Sequence, residues 1–118
     1  MEDIIIITPE VLSKKEPQLK IIGRGIYFNK AAVQLLKIDK DFRYSLVIKE
    51  YELFLKIEIN KGFHVIMQSG SEIGTRTSKI LRYLSAYKIG DGKNILRYSI
   101  GIIKDGLYPL TPITDKEK

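Results

Sequence analysis

Residues 52–67 read Glu52-Leu53-Phe54-Leu55-Lys56-Ile57-Glu58-Ile59-Asn60-Lys61-Gly62-Phe63-His64-Val65-Ile66-Met67. Leu53, Leu55, Ile57 and Ile59 alternate with Phe54, Lys56 and Glu58, and a period of two is the period of a strand. Asn60-Lys61-Gly62 is a hairpin signal, because Gly62 can take positive φ without a Cβ to clash. Phe63–Met67 is then the returning strand. Upstream, Arg43–Lys49 also alternates, with Tyr44, Leu46 and Ile48 on one side, and Glu50-Tyr51 is a tight connection to the next strand. Successive strands joined by short turns predict an antiparallel sheet.

On the N-terminal side, Asn29 is a good helix cap, since its side-chain oxygen can accept an orphan N–H of the first turn. Lys30–Lys37 follows as a short helix with Ala32, Leu35 and Leu36 on one face. Leu19–Phe28 reads as a strand that Gly23 and Gly25 interrupt, which predicts a bulge or a close backbone approach. Earlier still, Ile4–Thr8 reads as a strand stopped by Pro9, and Glu10–Glu16 as a short helical turn ended by Pro17.

On the C-terminal side, Ile73, Thr77, Ile80, Leu84 and Tyr87 recur at spacings of four and three. That spacing predicts a longer helix over about 75–88, with one stripe against a core. Gly90-Asp91-Gly92 stops it. Ile95–Ile103 is a further strand, Asp105-Gly106 a hairpin turn, and Leu107–Leu110 a weak return. The expectation is an α+β domain over residues 1–110, with an antiparallel sheet, a short helix at about 30–37 and the longer one at 75–88. Residues 111–118, with four charges in the last four positions, read as a flexible tail.

The chain has 118 residues, enough for one core without covalent staples. It has no cysteine and one histidine, His64. Disulfides, cysteine-based metal sites and most histidine-based ones are therefore out of reach within one chain. No serine or carboxylate stands at a known catalytic spacing from His64, and the pairs Asp39/Asp41 and Glu50/Glu52 fall in or beside turns. The reading is non-enzymatic, with no metal, cofactor or small-molecule substrate. The acidic start and short apolar run are unlike a secretory signal, no stretch has the length of a membrane span, and the expected location is cytoplasmic.

The net charge is +6, and its placement is the most informative feature. Residues 73–104 hold Arg76, Lys79, Arg82, Lys88, Lys93, Arg97 and Lys104 against the single acid Asp91. That balance equals the charge of the whole chain. Projected on a helix, Arg82 lies opposite the apolar stripe, Lys79 and Tyr83 lie to one side, and Arg76 borders it. No acid occurs between Thr75 and Lys88. A helix built only for solubility mixes signs, so an unmixed basic face is a candidate phosphate footprint. A solvated face, or one answered by acids elsewhere in the fold, is the competing explanation. Tyr83 is the tyrosine free to stack on bases, whereas Tyr87 and Tyr98 fall on apolar faces. The glycine loop Gly70–Arg76 places Thr75 where a phosphate-binding loop requires lysine, and reads as a connection.

Residues 23–57 add a partial likeness. Gly23-Arg24-Gly25-Ile26-Tyr27-Phe28-Asn29 leads into the short helix Ala31–Leu36, then Ile38-Asp39-Lys40-Asp41 and two apolar strands. This resembles the AbrB/MazE-like swapped-hairpin DNA-binding domains, in which two chains interlock hairpins and arginines on them meet DNA. The resemblance implies a homodimer and carries over Arg24, with Lys30 and Arg43 as further positions. Asn29 replaces the family's usual proline, an extra residue follows Arg24, and nothing from Phe63 onward matches. The functional expectation is a small DNA-binding regulator that meets nucleic acid through Arg76, Lys79, Arg82, Tyr83 and Arg24. The alternative is a protein-interaction or structural module of mobile-element or phage type.

Overall fold

The computed structural model describes residue 4, residues 16–66 and residues 73–113. Strands β3 (Arg43–Lys49) and β4 (Glu52–Glu58) pair along their whole length, from Arg43 opposite Glu58 to Lys49 opposite Glu52. Glu50 and Tyr51 join them at φ 54° and 66°, the left-handed pair that matches the twist of a two-residue hairpin. Strand β5 (Phe63–His64) does not return along β4. It pairs with the opposite edge of β3, His64 against Arg43 and Phe63 against Tyr44. Gly62, at φ 98°, carries the chain around the start of β3, where a Cβ would strike the Tyr44 carbonyl. Glycine is therefore required here for a crossing rather than for a hairpin.

The segment 19–28 is likewise two strands, not one. Strands β1 (Gln18–Ile22) and β2 (Gly25–Phe28) form a hairpin turning at Gly23-Arg24. The expected close approach occurs at Gly25, where a Cβ would meet the Thr75 carbonyl. Strand β6 (Ile73–Arg76) lies along β2, with Gly25 opposite Arg76 and Tyr27 opposite Gly74. Strands β7 (Leu96–Ile100) and β8 (Tyr108–Pro112) complete the sheet, and β8 is inserted between β7 and β4. Leu107–Leu110 was expected only as a weak return. It enters a strand with neighbours on both sides, and that strand takes in Thr111 and Pro112 from the expected tail.

The order across the described strands is β5-β3-β4-β8-β7-β1-β2-β6, antiparallel at every step. The two edges then meet. The Ile66 N–H donates to the Gly74 carbonyl at 2.7 Å, and the Thr75 hydroxyl donates to the His64 carbonyl. The sheet is a near-barrel of eight strands among the described residues, and its interior is one apolar core containing Leu19, Ile21, Ile26, Phe28, Tyr44 and Leu55. Tyr44 is the hub. Its ring lies 5.3 Å from Phe28, 5.8 Å from Phe42 and 5.4 Å from Phe63.

The expected α+β class with a longer helix is therefore overturned. The described helices are α1 (Lys30–Leu36) and α2 (Ile80–Ser85), both short. Helix α1 forms as its cap predicts, with the Asn29 side chain accepting from the Ala32 N–H at 2.8 Å. The helix expected at 75–88 fails for two reasons. Ile73–Arg76 has an unpaired β2 edge to join, and Lys79 adopts φ 70°, outside the helical region. Five residues at spacings of four and three looked like one stripe, yet Leu84 alone of them is buried. Leu81 and Leu84 face the core from α2, and Ile89 follows from the next turn. The strand expected at 4–8, apart from residue 4, and residues 114–118 lie outside the described residues.

Candidate nucleic-acid interface

The sheet register brings together two arginines far apart in the chain. Arg24 sits in the β1–β2 turn and Arg76 ends β6 opposite Gly25. The Thr77 N–H donates to the Arg24 carbonyl at 3.1 Å, which ties the two segments at that point. The contact is possible because β2 and β6 approach through glycines. A Cβ on Gly25 would strike β6, and one on Gly74 would strike the Ile26 carbonyl and the Tyr27 ring. Lys79 follows Arg76 by three residues and is exposed. Among the described residues, the side chains of Arg24, Arg76, Lys79 and Arg82 make no hydrogen bond or ion pair.

Helix α2 presents Arg82 and Tyr83 to solvent while Leu81 and Leu84 point inward. Arg82 stands in the last turn, where a cation offsets the partial negative charge of the carbonyl ends, worth about 0.3–1 kcal/mol. That is a sufficient structural reason for Arg82, and no such reason applies to Arg24, Arg76 or Lys79. Tyr83 is 60% exposed. Tyr87, which the helical stripe placed in the core, is 47% exposed. Their ring centroids are 5.3 Å apart at 44°, so the two tyrosines form one exposed aromatic pair beside Arg82.

A second feature escaped the sequence reading. Arg97 of β7, Lys20 of β1, Tyr27 of β2 and Gly74 of β6 are successive cross-strand partners in a single row. Their neighbours Leu19, Ile21, Ile26, Phe28 and Tyr98 are buried, so by strand alternation the row lies on the outer face. The sequence holds no acid at 17–28, 73–88 or 92–104. The outer face of β7-β1-β2-β6 and the adjoining α2 are thus free of carboxylates from their own segments. Asp91, the one acid of residues 73–104, is occupied within its own turn. It accepts from the Lys93 and Asn94 N–H groups at 2.9 and 2.8 Å, and these bonds hold its carboxyl below the usual range.

The other half of the barrel mixes its charges. Ser45 Oγ donates to Glu58 at 2.6 Å, and Arg43 Nη1 lies 2.7 Å from His64 Nε2 across β3 and β5. Arg43 is thereby drawn to His64 of β5. Among the described residues no cluster of His, Asp and Glu could hold a metal, and no helix is long and apolar enough to cross a membrane. A cavity of about 420 Å³ opens between the 88–90 segment and strands β4, β7 and β8, lined by Tyr51, Lys88, Ile89, Tyr98, Pro109 and Pro112.

The chain matches no protein-family model, no curated protein and no solved structure.

Proposed function

We propose that this chain is a non-enzymatic nucleic-acid-binding domain whose interface is the basic half of the barrel. The observation that carries this reading is the meeting of Arg24 with the Arg76–Lys79 segment, beside strands and a helix that bring no carboxylate. Unpaired cations on a continuous surface attract polyanions, and each phosphate they neutralise releases a condensed counterion. Arg24, Arg76 and Lys79 are the phosphate contacts in this proposal, with Arg82 and the Tyr83–Tyr87 pair on its α2 side. Regulation through DNA binding, as a dimer and with the strand form left to the test below, is the biological role proposed with it.

One observation favours a second reading, a protein-interaction module. Ile59 and Ile102 are 91% and 87% exposed, on the loops that follow β4 and β7. Ile59 follows β4, in the half with mixed charges, whereas Ile102 follows β7, one of the acid-free strands.

The test is fluorescence anisotropy with labelled duplex and single-stranded oligonucleotides at two salt concentrations. Replacing Arg24, Arg76 and Lys79 together by Gln should weaken binding to all sequences alike. It should also flatten the salt dependence by about two to three units, at 0.7–0.9 per contact. Leu84→Ala is the contrasting control, costing about 2–5 kcal/mol of stability through lost burial and a cavity. Binding by the triple variant with unchanged affinity and slope would remove these residues from the interface. Absence of wild-type binding at low salt would remove the function.

A further inference from the structure

The outer row Arg97–Lys20–Tyr27–Gly74 extends the interface in a direction that the basic helix does not explain. Tyr27 stands opposite Gly74, and a Cβ on Gly74 would collide with Cδ1 of the Tyr27 ring. The ring therefore lies over the glycine, against the bare backbone of β6. Only a residue without a side chain leaves room for it, and covering an edge glycine with an aromatic ring also supports the sheet. Tyr27 is half-buried there, on the outward side of β2. Arg97 lies in the same row, and Arg76 lies two rows along β6, opposite Gly25 and on the same side of the sheet as Gly74. Among the described residues the Tyr27 hydroxyl has no hydrogen-bond partner.

We infer that Tyr27 is a nucleobase-stacking site, with Arg97 and Arg76 placed for the flanking phosphates, and that the ligand is single-stranded nucleic acid. The inference rests on the nucleic-acid reading above and names its substrate class. A cation-flanked aromatic face on a sheet is the arrangement that holds unpaired bases, since every base offers a π-face and stacking is tolerant of sequence. Duplex DNA is a poor fit to the same surface. Its base edges lie at the floor of a major groove about 8.5 Å deep, which calls for a protruding helix or ribbon. Tyr27 sits on a sheet strand and is half-buried, and α2 has six residues with its apolar side committed to the core. An unpaired base can come to Tyr27, whereas a stacked base pair cannot.

The experiment is an anisotropy titration of the full chain with four probes of one length: single-stranded DNA, single-stranded RNA, the DNA duplex, and a DNA strand carrying abasic sites. The abasic strand keeps its phosphates and lacks the bases to stack. The wild-type protein should bind base-bearing single strands about tenfold or more tighter than the abasic strand, and tighter than the duplex. The DNA and RNA arms distinguish the two sources of the same base-and-phosphate chemistry. Tyr27→Leu should lose the preference for bases while keeping the affinity for the abasic strand, and Tyr27→Phe should keep both. Equal wild-type binding to base-bearing and abasic strands, or tighter binding to duplex, overturns base stacking and leaves the phosphate interface standing. Retention of the base preference in Tyr27→Leu overturns the assignment of Tyr27. No binding of any probe overturns both readings. The abasic comparison uses the wild-type chain, so the outcome does not depend on a variant folding.

Discussion

The Tyr44 hydroxyl donates to Oγ1 of Thr75 at 2.6 Å, and Thr75 in turn donates to the His64 carbonyl. Three strands meet in this chain of bonds: β3 through Tyr44, β5 through His64 and β6 through Thr75. It lies at the seam where the curled sheet closes on itself. Thr75 is the one buried polar residue among those described, 7% exposed. Its hydroxyl serves as acceptor and donor together, so neither polar group is left unsatisfied in the core. Thr75→Val keeps the shape and removes both functions. It should cost about 1–3 kcal/mol because the Tyr44 hydroxyl stays buried without an acceptor. Tyr44→Phe removes the donor itself and should cost less, about 0.5–1.5 kcal/mol. Urea unfolding of the two variants checks the order, with unchanged m-values as the sign that only stability moved.

Alkaline pH should act on the same seam. Burial pushes the Tyr44 phenol well above its ordinary value of 10.0, and the bond to Thr75 offsets part of that rise. Burial raises Tyr98 as well. A phenol held neutral in the folded protein and free to ionise in the unfolded chain favours unfolding once the solution passes the unfolded pKa. The stability involved is complete below about pH 10 and is lost as the pH climbs from there toward the folded values. Thermal midpoints should therefore fall as the pH rises past about 10, and by more in the wild type than in Tyr44→Phe. Equal slopes in the two proteins would show that Tyr44 does not carry the effect.

Gly25→Ala tests the approach that places Arg24 beside Arg76. The added methyl would meet the Thr75 carbonyl, which is backbone and cannot rotate away. The variant should lose about 1–3 kcal/mol through overpacking and should also bind nucleic acid more weakly, because β6 must shift from β2. Gly106→Ala is the comparison, a glycine at φ 82° with open space around it. It should be strained by its backbone and leave binding unchanged. Chemical denaturation and anisotropy on the same samples separate the two effects.

Local signals were legible in the sequence where local chemistry decides. Asn29 capped α1, the alternation at 43–49 and 52–58 became β3 and β4, and Asp105-Gly106 turned the chain with φ 54° and 82°. Long-range pairing was not legible. Gly62 signals a turn equally well whether the strand after it returns to β4 or crosses to β3. The residues 73–88 satisfy a helical spacing, but a waiting β2 edge and the left-handed Lys79 outweighed it. The basic character of that segment survived the loss of its helix, since charge depends on composition and not on period. The position of Arg24 beside Arg76 required the register of β2 on β6, and the row holding Tyr27 required four strands in order. Tyr27 carried one local hint, its place between the apolar Ile26 and Phe28, which marks an outward residue in any strand.

The salt dependence of wild-type binding reads the phosphate contacts themselves. Affinity for a labelled single-stranded oligonucleotide is measured by anisotropy from low to moderate salt, and log K is plotted against log[salt]. Three to four phosphate contacts at Arg24, Arg76, Lys79 and Arg97 predict a straight line with a slope of roughly −2 to −3. A slope near zero, or no binding at the lowest salt, would contradict the account.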